Sequence, residues 1–78
     1  MSAEWSDDEL RESVEAYVDM LRKHHTGVPF SKKNYYKRLS EKYGRTVGAF
    51  EYRMQNISYV RALMGREWIP GLLPAKNL

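Results

Sequence analysis

The sequence predicts an all-α fold: a three-helix bundle with a helix-turn-helix and an extended, proline-containing C-terminal arm. Three observations lead there. Apolar residues recur at three- and four-residue spacing in three separate stretches, the spacing that lines one side of a helix. Each stretch follows a hydroxyl side chain (Ser6, Ser31, Thr46) and ends at a glycine (Gly27, Gly44, Gly65), the residue types that start and stop helices. Beyond Gly65 the period vanishes and Pro70 and Pro74 interrupt the chain. With 78 residues there is material for one modest core, so a single domain is expected over 1–78.

The first helix is expected over about 7–25. Ser6-Asp7-Asp8-Glu9 is a capping box, in which the Ser6 hydroxyl and the Glu9 carboxylate each satisfy the other's backbone N–H. Trp5 and Leu10 are spaced for a hydrophobic staple across that cap. Leu10, Val14, Tyr17, Val18 and Leu21 make the expected inward stripe, and Thr26-Gly27 before Pro29 ends the helix. The second helix, expected over 32–43, has Ser31 as its cap, Phe30 and Tyr35 as a staple, and Gly44 as its stop. Arg45-Thr46 leads into a third helix over 47–64, with Val47, Phe50, Met54, Ile57 and Met64 inward and Val60 flanking. In the arm, 66–78, Trp68, Ile69 and Leu72 are too apolar to leave in water, so it is expected to fold back on the helices.

Composition narrows the function. The absence of cysteine removes disulfides, thiolate nucleophiles and thiolate metal ligands. His24 and His25 are adjacent on a helix and point about a quarter-turn apart, so they cannot share an ion on one face. They read as cations at a helix C-terminus. The Asp7, Asp8, Glu9 cluster reads as cap chemistry, and no phosphate loop, nucleophile elbow or HNH metal motif is present. No catalytic, cofactor or metal role is therefore expected of this domain alone. No apolar run has the length of a membrane span, and the short acidic stretch Met1–Trp5 is unlike a signal peptide, so a cytoplasmic, membrane-free setting is expected.

The charge is divided along the chain. Residues 1–25 hold seven acids against three bases, a net −4, and residues 26–78 hold ten bases against three acids, a net +7. A basic remainder behind an acidic first helix points to one face that attracts polyanions.

The helix-turn-helix supplies a way to use it. Only Gly44-Arg45-Thr46 separates the second and third helices, a junction that makes them cross steeply. Leu39, Tyr43 and Phe50 can form their shared core, with the small Ser40 at the crossing. Tyr52, Gln55, Asn56 and Tyr59 lie on the side of the third helix away from Phe50, and amide side chains can bond bidentately to adenine in the major groove. Arg45 and Thr46 stand at the helix N-terminus, where free N–H groups favour a phosphate. Lys32, Lys33, Lys37 and Arg38 stud the second helix, which is expected to lie across the backbone. Arg53 is unusual so near the inward face; its stem is expected to run along the core edge.

The stretch from Leu39 to Phe50 resembles the helix-turn-helix of many bacterial DNA-binding proteins. The chain as a whole, from Trp5–Leu10 through Met54–Ser58 to Trp68–Gly71 and Pro74–Asn77, resembles the small N-terminal head domain of McrA-like, modification-dependent HNH restriction endonucleases. Tyr59, Arg61 and Ala62 depart from that pattern. The resemblance implies a bacterial, DNA-associated accessory domain at the N-terminus of a longer chain, duplex DNA as partner, and cutting by a C-terminal nuclease domain. The rival expectation is a protein–protein or interdomain docking module without direct nucleic-acid binding. The position of the bases discriminates between them: Lys32, Lys33, Lys37 and Arg45 in one patch beside the outer face of the third helix favour DNA, whereas their neutralisation by Glu12, Glu15 and Asp19 favours docking.

Overall fold

The computed structural model describes residues 4–76 and contains three helices: α1 (Asp7–Thr26), α2 (Lys32–Tyr43) and α3 (Val47–Leu63). The capping box of α1 is complete, with Glu9 N–H donating to Ser6 Oγ at 3.1 Å and Ser6 N–H to Glu9 Oε1 at 2.8 Å. Ser31 and Thr46 cap α2 and α3 through the N–H groups of Asn34 and Ala49. Gly27 and Gly44 close α1 and α2 in the left-handed conformation, with φ of 75° and 78°, where a side chain would be strained. The Phe30–Tyr35 staple forms as an edge-to-face ring pair, whereas the ring contact of Trp5 is with Phe50, 5.0 Å between centroids.

The core joins Tyr17, Met20 and Leu21 of α1, Tyr35, Tyr36 and Leu39 of α2, Phe50 and Met54 of α3, and Ile69 and Leu72 of the arm. The arm does fold back, and two of its side chains are as buried as any in the helices. Its positions 77 and 78 lie outside the described residues. At the centre, Ile69 N–H donates to Tyr17 Oη at 3.1 Å, and that hydroxyl in turn pairs with Ser58 Oγ at 2.8 Å. One buried phenol thus ties α1, α3 and the arm together.

Two inward stripes differ from expectation. On α1 the buried face runs through Glu9, Ser13, Tyr17, Met20 and Leu21, leaving Leu10, Val14 and Val18 in solvent. Periodicity located the apolar side, but α2 and α3 approach along its edge, where Glu9 and Ser13 carry their own hydrogen bonds. On α3, Phe50 and Met54 are buried with Asn56 and Ser58, while Val60, Leu63 and Met64 are exposed. The returning arm and the Tyr17 hydroxyl give those two polar side chains partners inside the fold. Among the described residues no helix is long and apolar enough to cross a membrane.

Candidate nucleic-acid interface

The face of α2 that meets α1 is electrostatically saturated. Tyr35 Oη donates to Asp19 Oδ2 and accepts from Lys23 Nζ at 2.7 Å, while Lys42 Nζ and Tyr43 Oη both donate to Glu12 Oε2. These bonds favour the ionised carboxylates: the Lys42 bond is the main cause lowering the Glu12 pKa, and the Tyr35 bond the main cause lowering that of Asp19. The Arg38 guanidinium lies over the Tyr35 ring, 4.9 Å from its centroid.

Lys33 and Lys37 occupy a different flank of the same helix. They are one turn apart, exposed, and paired with no carboxylate among the described residues. The acids of α1 reach Arg11, Arg22, Lys23, Lys42 and Arg45 instead. Lys32 is half-buried against the arm, its Nζ 3.1 Å from where a side chain at Gly71 would begin. Thr46 is exposed, its hydroxyl engaged in the α3 cap, and the space beside Gly48 in the first turn is open. The exposed acids of α2 and the first turns of α3 are Glu41 and Glu51.

Arg45 does not join this group. Its Nε and Nη2 donate to Glu9 Oε2 and Oε1 at 2.6 and 3.0 Å, Nη2 also donates to the Glu4 carbonyl, and the guanidinium stacks on Trp5 at 4.2 Å. With its side chain only 21 % exposed, Arg45 closes the bundle rather than presenting a free cation to a phosphate. The Arg45 bonds, then the Ser6 N–H, hold the Glu9 pKa down at about 2. The sequence showed Glu9 as a cap residue but carried no sign that the same carboxylate takes a second partner. Arg53, whose stem was expected to run along the core edge, also stacks its guanidinium on Trp5, at 4.4 Å, a contact that was not expected. Burial lowers its pKa, and its Nε has no hydrogen-bond partner.

The outer face of α3 is occupied by the arm. Ala75 N–H donates to the Gln55 carbonyl at 3.1 Å, Asn56 Nδ2 to the Ala75 carbonyl at 2.7 Å, and Tyr52 Oη to the Lys76 carbonyl at 2.9 Å. Asn56 is buried and Gln55 half-buried, while Tyr59 turns to a groove on the α1 side. The set expected to read bases is therefore not assembled as one exposed face. An arm folded back on the helices was expected; its lying along Tyr52, Gln55 and Asn56 of α3 was not.

Between α1 and α3 runs an open groove of about 550 Å³, lined by Leu10, Val14 and Val18 on one side and Arg53, Ile57 and Val60 on the other. Comparison with known families, with curated proteins and with solved structures finds no match to this chain.

Proposed function

We propose that this chain is a DNA-binding accessory module that grips the phosphate backbone of duplex DNA through the exposed flank of α2. The observation that carries this reading is the segregation of charge. Asp8, Glu9, Glu12 and Asp19 of α1 pair with Arg11, Arg45, Lys42, and Arg22 and Lys23, and none of them reaches Lys33 or Lys37, which stay unneutralised on another flank. An unpaired basic flank beside a short helix-turn-helix junction suits a duplex, whose backbone contacts position a protein before any base is read. Lys32, at the edge of the same flank, and the first turn of α3 at Thr46 and Gly48 extend the surface. The resemblance to head domains of HNH restriction endonucleases gives such a module its setting, with a nuclease domain elsewhere in a bacterial defence protein cutting the DNA. With Asn56 and the Tyr52 hydroxyl held by the arm, the reading is one of backbone binding rather than base readout.

Fluorescence anisotropy with several duplexes at two salt concentrations tests it. Binding should weaken steeply as salt rises, and Lys33→Glu or Lys37→Glu should weaken it on every duplex while lowering the salt slope by about 1 each. A folded chain that binds no duplex at low salt, or binds equally well after both charge reversals, overturns the reading.

A docking role is favoured by a separate observation, the apolar groove between α1 and α3, which no α2 residue lines.

A further inference from the structure

We infer that residues 73–76 of the arm form a strap that closes the outer face of α3 in the free chain and must lift off before Tyr52, Gln55 and Asn56 can read bases. The inference rests on the DNA reading above and adds to it a covered site for base recognition. The arm changes character at Leu72. Up to that residue it is anchored by apolar burial, with Ile69 and Leu72 each 1 % exposed in the common core. Beyond it no described side chain is buried: Leu73 and Lys76 are exposed, and Pro74 and Ala75 are half-buried. Gly71, at φ 90°, turns the chain beside Lys32 of α2, and the strap runs from there onto the outer face of α3.

The strap is held to α3 by hydrogen bonds rather than by a buried anchor. Ala75 N–H donates to the Gln55 carbonyl, Asn56 Nδ2 to the Ala75 carbonyl and Tyr52 Oη to the Lys76 carbonyl, the last of these in solvent. Such bonds add little net stability, because water offers the same groups equivalent partners once the strap lifts. One of them is also incomplete. Asn56 gives Nδ2 to the strap while its Oδ1 is buried with no hydrogen-bond partner, whereas nearly all such atoms in folded proteins are paired. The bidentate pairing that an asparagine makes with adenine needs both atoms. In the closed chain one is taken and the other is enclosed.

The strap leaves the phosphate-binding flank alone. Lys33 and Lys37 are exposed, and the strap's hydrogen bonds all go to α3. The closed chain can therefore grip a backbone without reading bases. Only base-specific binding bears the cost of opening, and its apparent affinity falls by the fraction of chains that are open.

Fluorescence anisotropy on a panel of duplexes, together with amide hydrogen exchange, tests the strap. Ala75→Pro removes the N–H that donates to Gln55 without altering α3 or any basic residue. It should tighten binding to the preferred duplexes about ten-fold, as an open state populated at roughly 10 % requires. The weakest duplexes and the salt slope should stay as in the wild type. Adding Gln55→Ala to Ala75→Pro should erase the gain. Tyr52→Phe keeps the ring but releases the Lys76 carbonyl, so it should speed exchange at Ala75 N–H and leave Ile69 N–H unchanged. A saturating preferred duplex should likewise speed exchange at Ala75 in the wild type. These two exchange measurements decide the matter if circular dichroism shows that the proline variant is misfolded. The strap is overturned, and the DNA reading stands, if Lys33→Glu weakens binding but Ala75→Pro leaves it unchanged or tightens it equally on every duplex. Ala75 exchange that neither Tyr52→Phe nor duplex alters overturns the strap as well. No binding by wild type or Ala75→Pro at low salt overturns the DNA reading itself, and the inference with it.

Discussion

Tyr17 and Glu9 are single side chains on which distant segments converge. The Tyr17 hydroxyl accepts from Ile69 N–H and shares a second hydrogen bond with Ser58 Oγ, and Ser58 is fully buried. Tyr17→Phe keeps the ring but strands two buried polar groups, so it should cost about 1–3 kcal/mol, the usual desolvation penalty for an orphaned group. Urea denaturation measures that loss, and faster amide exchange at Ile69 would place it in the arm. Glu9 makes stability depend on pH. Its pKa is lowered from 4.5 to about 2, so between those values the unfolded chain binds more protons than the folded one. The stabilisation is therefore full above 4.5 and drains away as pH falls toward 2. Thermal melts across that window should show the decline, and Glu9→Gln should flatten it. The lowered pKa values of Glu12 and Asp19 act in the same direction and will leave a smaller residual slope.

Helix ends carry much of the architecture at the level of elements. Gly44 sits at φ 78° with nothing within 4 Å of where a Cβ would be, so Gly44→Ala meets no clash and only backbone strain. That change should cost about 1–2 kcal/mol, the penalty for an L-residue in the left-handed region, in chemical denaturation. The arm behaves as a fourth element. Leu72 is 1 % exposed in the common core, so Leu72→Ala should cost about 2–5 kcal/mol, as for other large-to-small core changes. A cost well under 1 kcal/mol would mean that the arm is an accessory to the bundle rather than part of it. The arm also accounts for the mixed character of α3, whose buried Asn56 donates its Nδ2 to the Ala75 carbonyl instead of to solvent.

Across the whole molecule, charge is sorted between faces. The α1–α2 seam contains Glu12 with Lys42 and Asp19 with Lys23, and Glu9 with Arg45 locks the turn before α3 to the start of α1. These pairs differ in shielding. Lys42 is well exposed, whereas Arg45 makes a two-point contact with a carboxylate side chain only 9 % exposed. Arg45→Ala should therefore lower the melting temperature more than Lys42→Ala, and added salt should narrow the difference little, because screening acts mainly on exposed pairs. Equal shifts from the two variants would show that the Glu9–Arg45 contact adds nothing special. Sorting of this kind is what leaves the Lys33–Lys37 flank positive.

Local features were legible in the residues alone: three helices with their ends, the capping box at Ser6 and Glu9, the Phe30–Tyr35 staple, the glycine turn and the return of the arm. These depend on residues within a few positions of one another, or on the cost of leaving an apolar segment in water. Lys33 and Lys37 could also be singled out, because an exposed base on a short helix needs no distant partner to be placed. Long-range packing settled which edge of α1 is buried, that Arg45 answers to Glu9 and that the arm covers Asn56. Glu9 and Arg45 are 36 residues apart, and Tyr17 and Ile69 are 52 apart. A side chain with several partners of matching chemistry is committed by whichever one the fold brings within bonding distance, and periodicity along one helix does not encode that choice.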